Sequence, residues 1–262
     1  MALAHPQRTY GRTKARALKP RQAALVDALL PHLAVPAEGE IDVEALFNAP
    51  PLPCGEGAGG EGPSNDLSPG RLLRPSPAGL WPAPSPQGRG LVFEIGFGGG
   101  EHLVAQAQAH PDYRFIGVEP FLNGVGSCLR HIEESGAQNI RLHHGDARDV
   151  LARLPDASLD RIYILFPDPW PKTRHWKRRL IQADFIAELA RVLKADGAVR
   201  FATDWKNYAA WTLEFFLKDL HFRWSAERAA DWRDPWPDHV TTRYQEKRLG
   251  DCSPIFLEFI RV

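Results

Sequence analysis

Five carboxylates stand where a sheet-borne site would hold them. Glu94, Glu119, Asp146, Asp168 and Asp204 each close an apolar, strand-like run or follow it within three residues. One such acid is ordinary. Five in strand order predict a crevice lined with negative charge, because open α/β sheets bind ligands at the carboxyl ends of their strands. Behind Glu94 comes a glycine loop, Gly96, Gly98, Gly99 and Gly100, and then a helix-like run, Glu101–His110. The glycines let the backbone turn sharply and approach a ligand, and a helix N-terminus offers free N–H groups. An acid just before the loop disfavours a ligand that is only pyrophosphate. It favours one with a cationic part, and S-adenosylmethionine carries an ammonium and a sulfonium. Glu119, 25 residues after Glu94, has the spacing at which an acid reaches ribose hydroxyls. Asp146 is placed to accept from an adenine amine. NAD is the rival ligand, but its G-x-G-x-x-G fingerprint fails at Glu101, where the third glycine would stand.

A second constellation follows the fourth strand-like run. Pro167-Asp168-Pro169-Trp170-Pro171-Lys172 is stiff and poor in backbone donors. Stiffness would hold Asp168 and Trp170 at the mouth of the site, where an aromatic can stack on a base and a carboxylate can bond a base edge. Lys172, Arg174, Lys177, Arg178 and Arg179 then supply five fixed positive charges with no acid among them. Such a run suits phosphate contacts. Residues 1–32 add Arg8, Arg12, Lys14, Arg16, Lys19 and Arg21 against one acid, Asp27. A basic arm on a neutral protein points to a polyanionic partner. His143 and His144 read as sheet or surface histidines; with no third ligand in view, no metal is expected.

The elements that must position these groups are legible as alternating patterns. Strands are expected at 91–95, 115–118, 140–143, 161–166 and 198–202, with helices at 101–110, 121–134, 182–193 and 205–220 between or after them. Two closing strands are expected at 221–226 and 255–262. Strands alternating with helices predict an α/β fold with a mostly parallel sheet and helices on both faces. Upstream, Pro20 introduces a helix over 21–30 that Pro31 stops, and 41–47 could add a further turn. From Pro50 to Gly90, Pro, Gly and Ser dominate. Such a segment cannot bury enough apolar surface to fold alone and reads as a flexible insertion. The expected organisation is a basic arm and helix at 1–49, the insertion at 50–90 and a catalytic domain at 91–262.

With 262 residues the chain can bury a substantial core, and 32 basic against 32 acidic side chains leave its net charge uninformative. Cys54, Cys128 and Cys252 are scattered, forming neither a disulfide framework nor a metal cluster. That usage suits a reducing, cytoplasmic setting. No apolar run reaches the roughly 18 residues of a membrane span, and no apolar stretch follows the N-terminal arginines as a signal peptide would require.

Several of these residues together resemble the bacterial tRNA (guanine-N7-)-methyltransferase family. The matching pieces are EIGFGGG at 94–100, GVEP at 117–120, GDA at 145–147, FPDPWPKTRHWKRR at 166–179, TDW at 203–205 and TTRYQEKR at 241–248. RTYGRTKAR at 8–16 is similar to the family's basic arm. The resemblance implies a Rossmann-like class I methyltransferase with a seven-stranded sheet. It implies methyl transfer from S-adenosylmethionine to N7 of a guanine, guanine 46, in the tRNA variable loop. It places Glu94, Gly96, Gly98, Glu119, Asp146 and Asp168 in the cofactor site, with Asp168 as the catalytic carboxylate. Lys172, Asp204, Thr242, Arg243, Tyr244 and Gln245 would contact the guanine or its surroundings. No obligate protein partner is implied. The family usually has Glu where Gln245 stands, and Glu246 follows at once, so either residue could fill that role.

Two other readings compete. The DPW loop is similar to loops that grip an exocyclic amine, which would make the product N6-methyladenine. A nucleotide- and RNA-binding module without turnover is the reading from another class, and the full set of strand-end acids speaks against it.

Overall fold

In a computed structural model, residues 17–48 and 90–262 are described. Arg8, Arg12, Lys14 and Arg16 of the basic arm, Cys54 and all of the proposed insertion but Gly90 lie outside the described residues.

One seven-stranded sheet organises the rest. Its strands are β1 (Gly90–Ile95), β2 (Tyr113–Val118), β3 (Ile140–His143), β4 (Leu159–Leu165), β5 (Leu193–Thr203), β6 (Phe222–Trp224) and β7 (Ile255–Arg261). They lie in the order β3-β2-β1-β4-β5-β7-β6. The first five run parallel, and β7 is antiparallel to both β5 and β6. The order reverses between β1 and β4. The strand ends at that switch point are the usual ligand position of an open parallel sheet.

Ten α-helices among the described residues accompany the sheet, besides a 3-10 helix over Thr173–Arg178: α1 (Pro20–Ala28), α2 (Leu30–Leu33), α3 (Val43–Phe47), α4 (Glu101–Ala109), α5 (Leu122–Ser135), α6 (Ala147–Leu151), α7 (Ala183–Val192), α8 (Lys206–Lys218), α9 (Ala230–Arg233) and α10 (Arg243–Glu246). Leu91, Phe93 and Ile95 face α6, α7 and α8, in a core with Val150, Phe185 and Phe216. Val92, Phe115 and Leu165 face α1, α4 and α5, in a core with Leu103, Val125 and Leu129. Both faces are covered, which is why these strands read as continuous apolar runs rather than alternating ones. The helices show the complementary pattern. In α5, Val125, Cys128, Leu129 and Ile132 recur at three- and four-residue spacing and are buried, and Gly136 ends the helix at φ +68°. Each aliphatic side chain so buried contributes roughly 1.5–3 kcal/mol.

Residues 17–48 are part of this packing. Gln22 donates to Ser127 on α5 (3.0 Å), Leu33 is fully buried, and Ala34 bridges to Leu142 of β3. Pro31 does not stop the helical region, as expected, but sits in the first turn of α2. Its missing N–H is there one that would lack an intrahelical partner in any case. A second difference concerns β5, which begins at Leu193 directly after α7, with Gly197 inside it. Leu193 pairs with Leu159 before the register shifts, so the chain re-enters the sheet earlier than its apolar run at 198–202 predicts.

Candidate active site

The carboxyl ends of β1, β2 and β4 converge at the glycine loop. Gly96 and Gly98 adopt φ of +73° and +57°, and a Cβ on either would meet nothing within 4 Å. The loop is therefore an open cradle that left-handed backbone makes possible. Gly124 lies behind it, where a Cβ would come within 2.4 Å of the Gly98 carbonyl oxygen. That close approach lets α5 seat the loop.

Glu94 is buried at the end of β1, and its Oε2 is 2.7 Å from His102 Nδ1 on α4. Glu119, just past β2, accepts from Gly98 N (2.8 Å) and Phe121 N (2.9 Å). Burial pushes the Glu119 carboxyl up to about 7, against the pull of those two N–H groups; the charges of Asp168 and Glu94 push it further. The mutual repulsion shows that three of the five predicted acids share one electrostatic neighbourhood. Asp146 caps α6, accepting from Arg148 N at 3.0 Å. Its position after a strand and before a short helix is the signal for that cap.

Asp168 is exposed at the tip of the loop after β4, and Lys172 is exposed beyond it. The loop is held from inside by Arg179, and this corrects the expectation of five phosphate-facing charges. Arg179 is 2% exposed. Its Nε donates to the Pro169 carbonyl (3.0 Å) and its Nη2 to Asn207 Oδ1 (2.6 Å). Its guanidinium lies about 5 Å from the rings of Trp176, Tyr208 and Trp211. A charge run read along the sequence does not show that its last member turns inward onto aromatics. Lys172, Arg174 and Lys177 remain exposed, and Arg178 covers the Trp170 ring at 5.0 Å. Phe166, Trp170 and Arg248 all adopt left-handed φ, +51°, +44° and +46°. Each costs on the order of 1–2 kcal/mol; Ala157 and Asp196, near the opposite ends of β4 and β5, share this conformation.

Asp204 is buried after β5. Its Oδ2 accepts from Gly250 N at 2.8 Å, while its buried Oδ1 has no hydrogen-bond partner in the protein. The C-terminal motif folds back over the strand ends. Thr242 caps α10, its Oγ1 accepting from Gln245 N (3.3 Å). Arg243 Nε lies 2.7 Å from Glu101 Oε1 at the start of α4, and the Tyr244 ring lies 5.7 Å from Phe166. Burial raises the Tyr244 phenol, and the charges of Asp204 and Asp168 raise it further, so Tyr244 belongs to the same cluster. Gln245 turns inward, with Oε1 2.7 Å from His239 Nε2, whereas Glu246 is exposed. Of the two candidates for that position, the inward one is Gln245.

Sequence reasoning missed a buried polar cluster under this motif. Arg200 Nη1 donates to both Asp238 oxygens (2.8 and 2.9 Å), and its Nε donates to Glu258 Oε1 (2.7 Å). Arg161 Nη1 lies 3.6 Å from Asp238, and the Tyr163 hydroxyl 3.4 Å. The available signal was three charges, Arg161, Arg200 and Glu258, each set between apolar residues in the middle of a strand-like run or beside it. Among the described residues, no group of three or more His, Cys, Asp or Glu side chains could hold a metal ion. Among them also, no helix is long and apolar enough to cross a membrane.

Residues 89–255 match the sequence family described as "Putative methyltransferase". The tRNA (guanine-N(7)-)-methyltransferase of Caulobacter sp. (strain K31) is 50% identical over 257 residues, 98% of this chain and 96% of that protein. The protein of the same name from Hyphomonas neptunium is 42% identical over 253 residues, 96% of this chain and 98% of that one. Among solved structures, a 16S rRNA (adenine(1408)-N(1))-methyltransferase from Catenulisporales acidiphilia, with cosubstrate SAM, is 20% identical at a TM-score of 0.49. That match covers 67% of this chain and 87% of that one.

Proposed function

The chain belongs to the bacterial tRNA (guanine-N7-)-methyltransferase family, and from that premise we propose that it methylates N7 of guanine 46 in the tRNA variable loop, using S-adenosylmethionine. The observation that carries this reading is the meeting of two sets of residues at one crevice. Glu119 is bonded into the glycine cradle and feels the charge of Asp168, and the Thr242–Gln245 turn folds back to Glu101 and Phe166 at the same strand ends.

The residues present fit S-adenosylmethionine. The open cradle at Gly96 and Gly98 admits a ligand against the backbone, and Glu119 offers two acceptor oxygens for ribose hydroxyls. Glu94 and Asp146 supply the remaining acidic wall. When bound, S-adenosylmethionine supplies an electrophilic methyl: the bond to N7 forms as the carbon–sulfur bond breaks, and the sulfonium charge passes to the base. Guanine N7 carries a lone pair at neutral pH and loses no proton, so the chain need supply no general base. Its work is positioning and electrostatics. Asp168 is assigned to the developing cation. Asp204, which anchors Gly250 N through Oδ2, is assigned to holding the base, and Lys172, Thr242, Arg243, Tyr244 and Gln245 to its surroundings. Lys172, Arg174 and Lys177 provide the phosphate-facing rim.

The direct test is methyl transfer from labelled S-adenosylmethionine to unmodified tRNA, followed by borohydride and aniline treatment, which cleaves at N7-methylguanosine. Labelled tRNA cut once in the variable loop is the expected result. Labelled tRNA that resists cleavage would discard N7.

A pH dependence follows from Glu119. Its ordinary value is 4.5 and burial holds it near 7, so between those values the folded protein binds a proton that the unfolded chain does not. This group's contribution to stability is therefore full below pH 4.5 and is lost as pH rises through 7. Ligand binding runs the other way, because ribose hydroxyls donate best to the ionised carboxylate. The apparent Kd for S-adenosylmethionine should fall about tenfold from pH 6 to pH 8. Calorimetric titration at several pH values checks this, and Glu119→Gln should flatten the profile.

A further inference from the structure

The Thr242–Gln245 turn rests on three elements, and the contacts differ in kind. Arg243 is well exposed where it meets Glu101, so that ion pair is screened and weak. The Tyr244 ring meets Phe166 at a tilt of 35°. The third contact, Gln245 Oε1 to His239 Nε2 at 2.7 Å, is the inward one. With the amide oxygen facing the ring, which can only accept, this contact assigns the proton to Nε2.

His239 is itself held firmly. Its ring packs edge-on against Phe256 (5.0 Å, 72°) and Trp236 (6.1 Å, 65°). The preceding residue, Asp238, is clamped by Arg200, and its backbone carbonyl accepts from Gln106 Nε2 on α4 (2.5 Å). On its other side the His239 ring lies 6.2 Å from that of His102, the residue bonded to Glu94. A line of side chains therefore runs from Glu94 through His102 and His239 to Gln245. Burial pushes the His239 imidazole down, ahead of the opposing bond to Gln245, so the ring is neutral and keeps one donor nitrogen.

We propose that His239 is a positioning residue for the RNA substrate. By donating from Nε2 to Gln245 Oε1, it fixes the Thr242–Gln245 turn over the crevice against the riveted 236–239 segment. The proposal rests on the reading of that turn as substrate-contacting. It explains how a four-residue helix, too short to be stable by itself, presents side chains in a fixed geometry. Sequence position alone gives His239 no role, since it lies outside every motif quoted for the family resemblance.

The test compares His239→Phe, which keeps the ring contacts but loses the donor, with His239→Gln, which restores a donor of similar reach. For His239→Phe the KM for tRNA should rise about tenfold, the size of one part-buried neutral hydrogen bond. The Kd for S-adenosylmethionine should stay within about twofold, and His239→Gln should recover most of the loss. His239→Phe combined with Gln245→Ala should be no worse than Gln245→Ala alone. An independent readout is the nitrogen-15 spectrum of the His239 ring, which should show the Nε2–H tautomer in the wild type and lose that preference in Gln245→Ala.

An unchanged KM for tRNA in His239→Phe would overturn the proposal. So would effects of the two substitutions that multiply, equal losses for tRNA and S-adenosylmethionine, or an Nδ1–H tautomer in the wild type. A wild-type protein that forms no N7-methylguanosine overturns the functional reading and the role with it. An active wild type with an indifferent His239→Phe overturns the role alone.

Discussion

Asp168→Asn should lower kcat for methyl transfer to tRNA by about 100- to 1,000-fold, while the Kd for S-adenosylmethionine changes by no more than a few-fold. The magnitude is that of one preorganised electrostatic group removed from a reacting centre. The amide keeps the shape of the side chain and removes its charge, and the charge is what opposes the cation developing on the base. Asp168 is exposed in the protein alone, so its field is screened until RNA covers the loop. The loss should therefore appear in turnover and not in cofactor affinity. A second consequence sharpens the distinction. Asp168 helps raise Glu119, so removing its charge lets Glu119 ionise more easily, which favours ribose binding. Single-turnover kinetics beside calorimetric binding separates the two effects. Equal losses in rate and cofactor affinity would reassign Asp168 to the cofactor pocket.

Arg200→Met should destabilise the fold by about 3–5 kcal/mol, the usual cost of removing one member of a buried ion cluster. Methionine fills much of the space but leaves Asp238 and Glu258 without their shared cation. The Asp238 side chain is 5% exposed and would keep Arg161 at 3.6 Å as its charged neighbour. For a protein of this size the loss corresponds to a fall in Tm of very roughly 6–20 °C. Adding Asp238→Asn should recover little of it, because it also takes from the buried Arg161 its remaining anionic partner. Thermal unfolding of the single and double variants decides this. If Arg200→Met unfolds like the wild type, the cluster is not what holds the 236–239 segment to the sheet.

The buried arginines mark the boundary between what was legible in the chain and what was not. Strand and helix periods follow from local backbone geometry, so β1, β2 and β3 and the cores of α4, α5 and α7 could be read directly from apolar spacing. The glycine loop was equally legible, because φ near +60° is permitted there by residue type. The strand-end acids were legible because parallel sheets place ligands at one end. The short helices α6, α9 and α10 were not, since four or five residues carry too little periodicity to register.

By itself, then, the sequence determined the alternation of strands and helices and the acids that stand at the carboxyl ends of the parallel strands: Glu94, Glu119, Asp146, Asp168 and Asp204. The tertiary structure decided which charges face solvent and which face each other. Arg179 and Lys177 are both cations in one run, yet one lies buried among three aromatic rings and the other is exposed. Arg200 meets Asp238, and Arg243 meets Glu101, across long stretches of intervening chain. Such pairings carry no local pattern. A buried charge is tolerated only where a partner satisfies it, and that partner is brought near by the packing of the whole sheet rather than by the residues beside it.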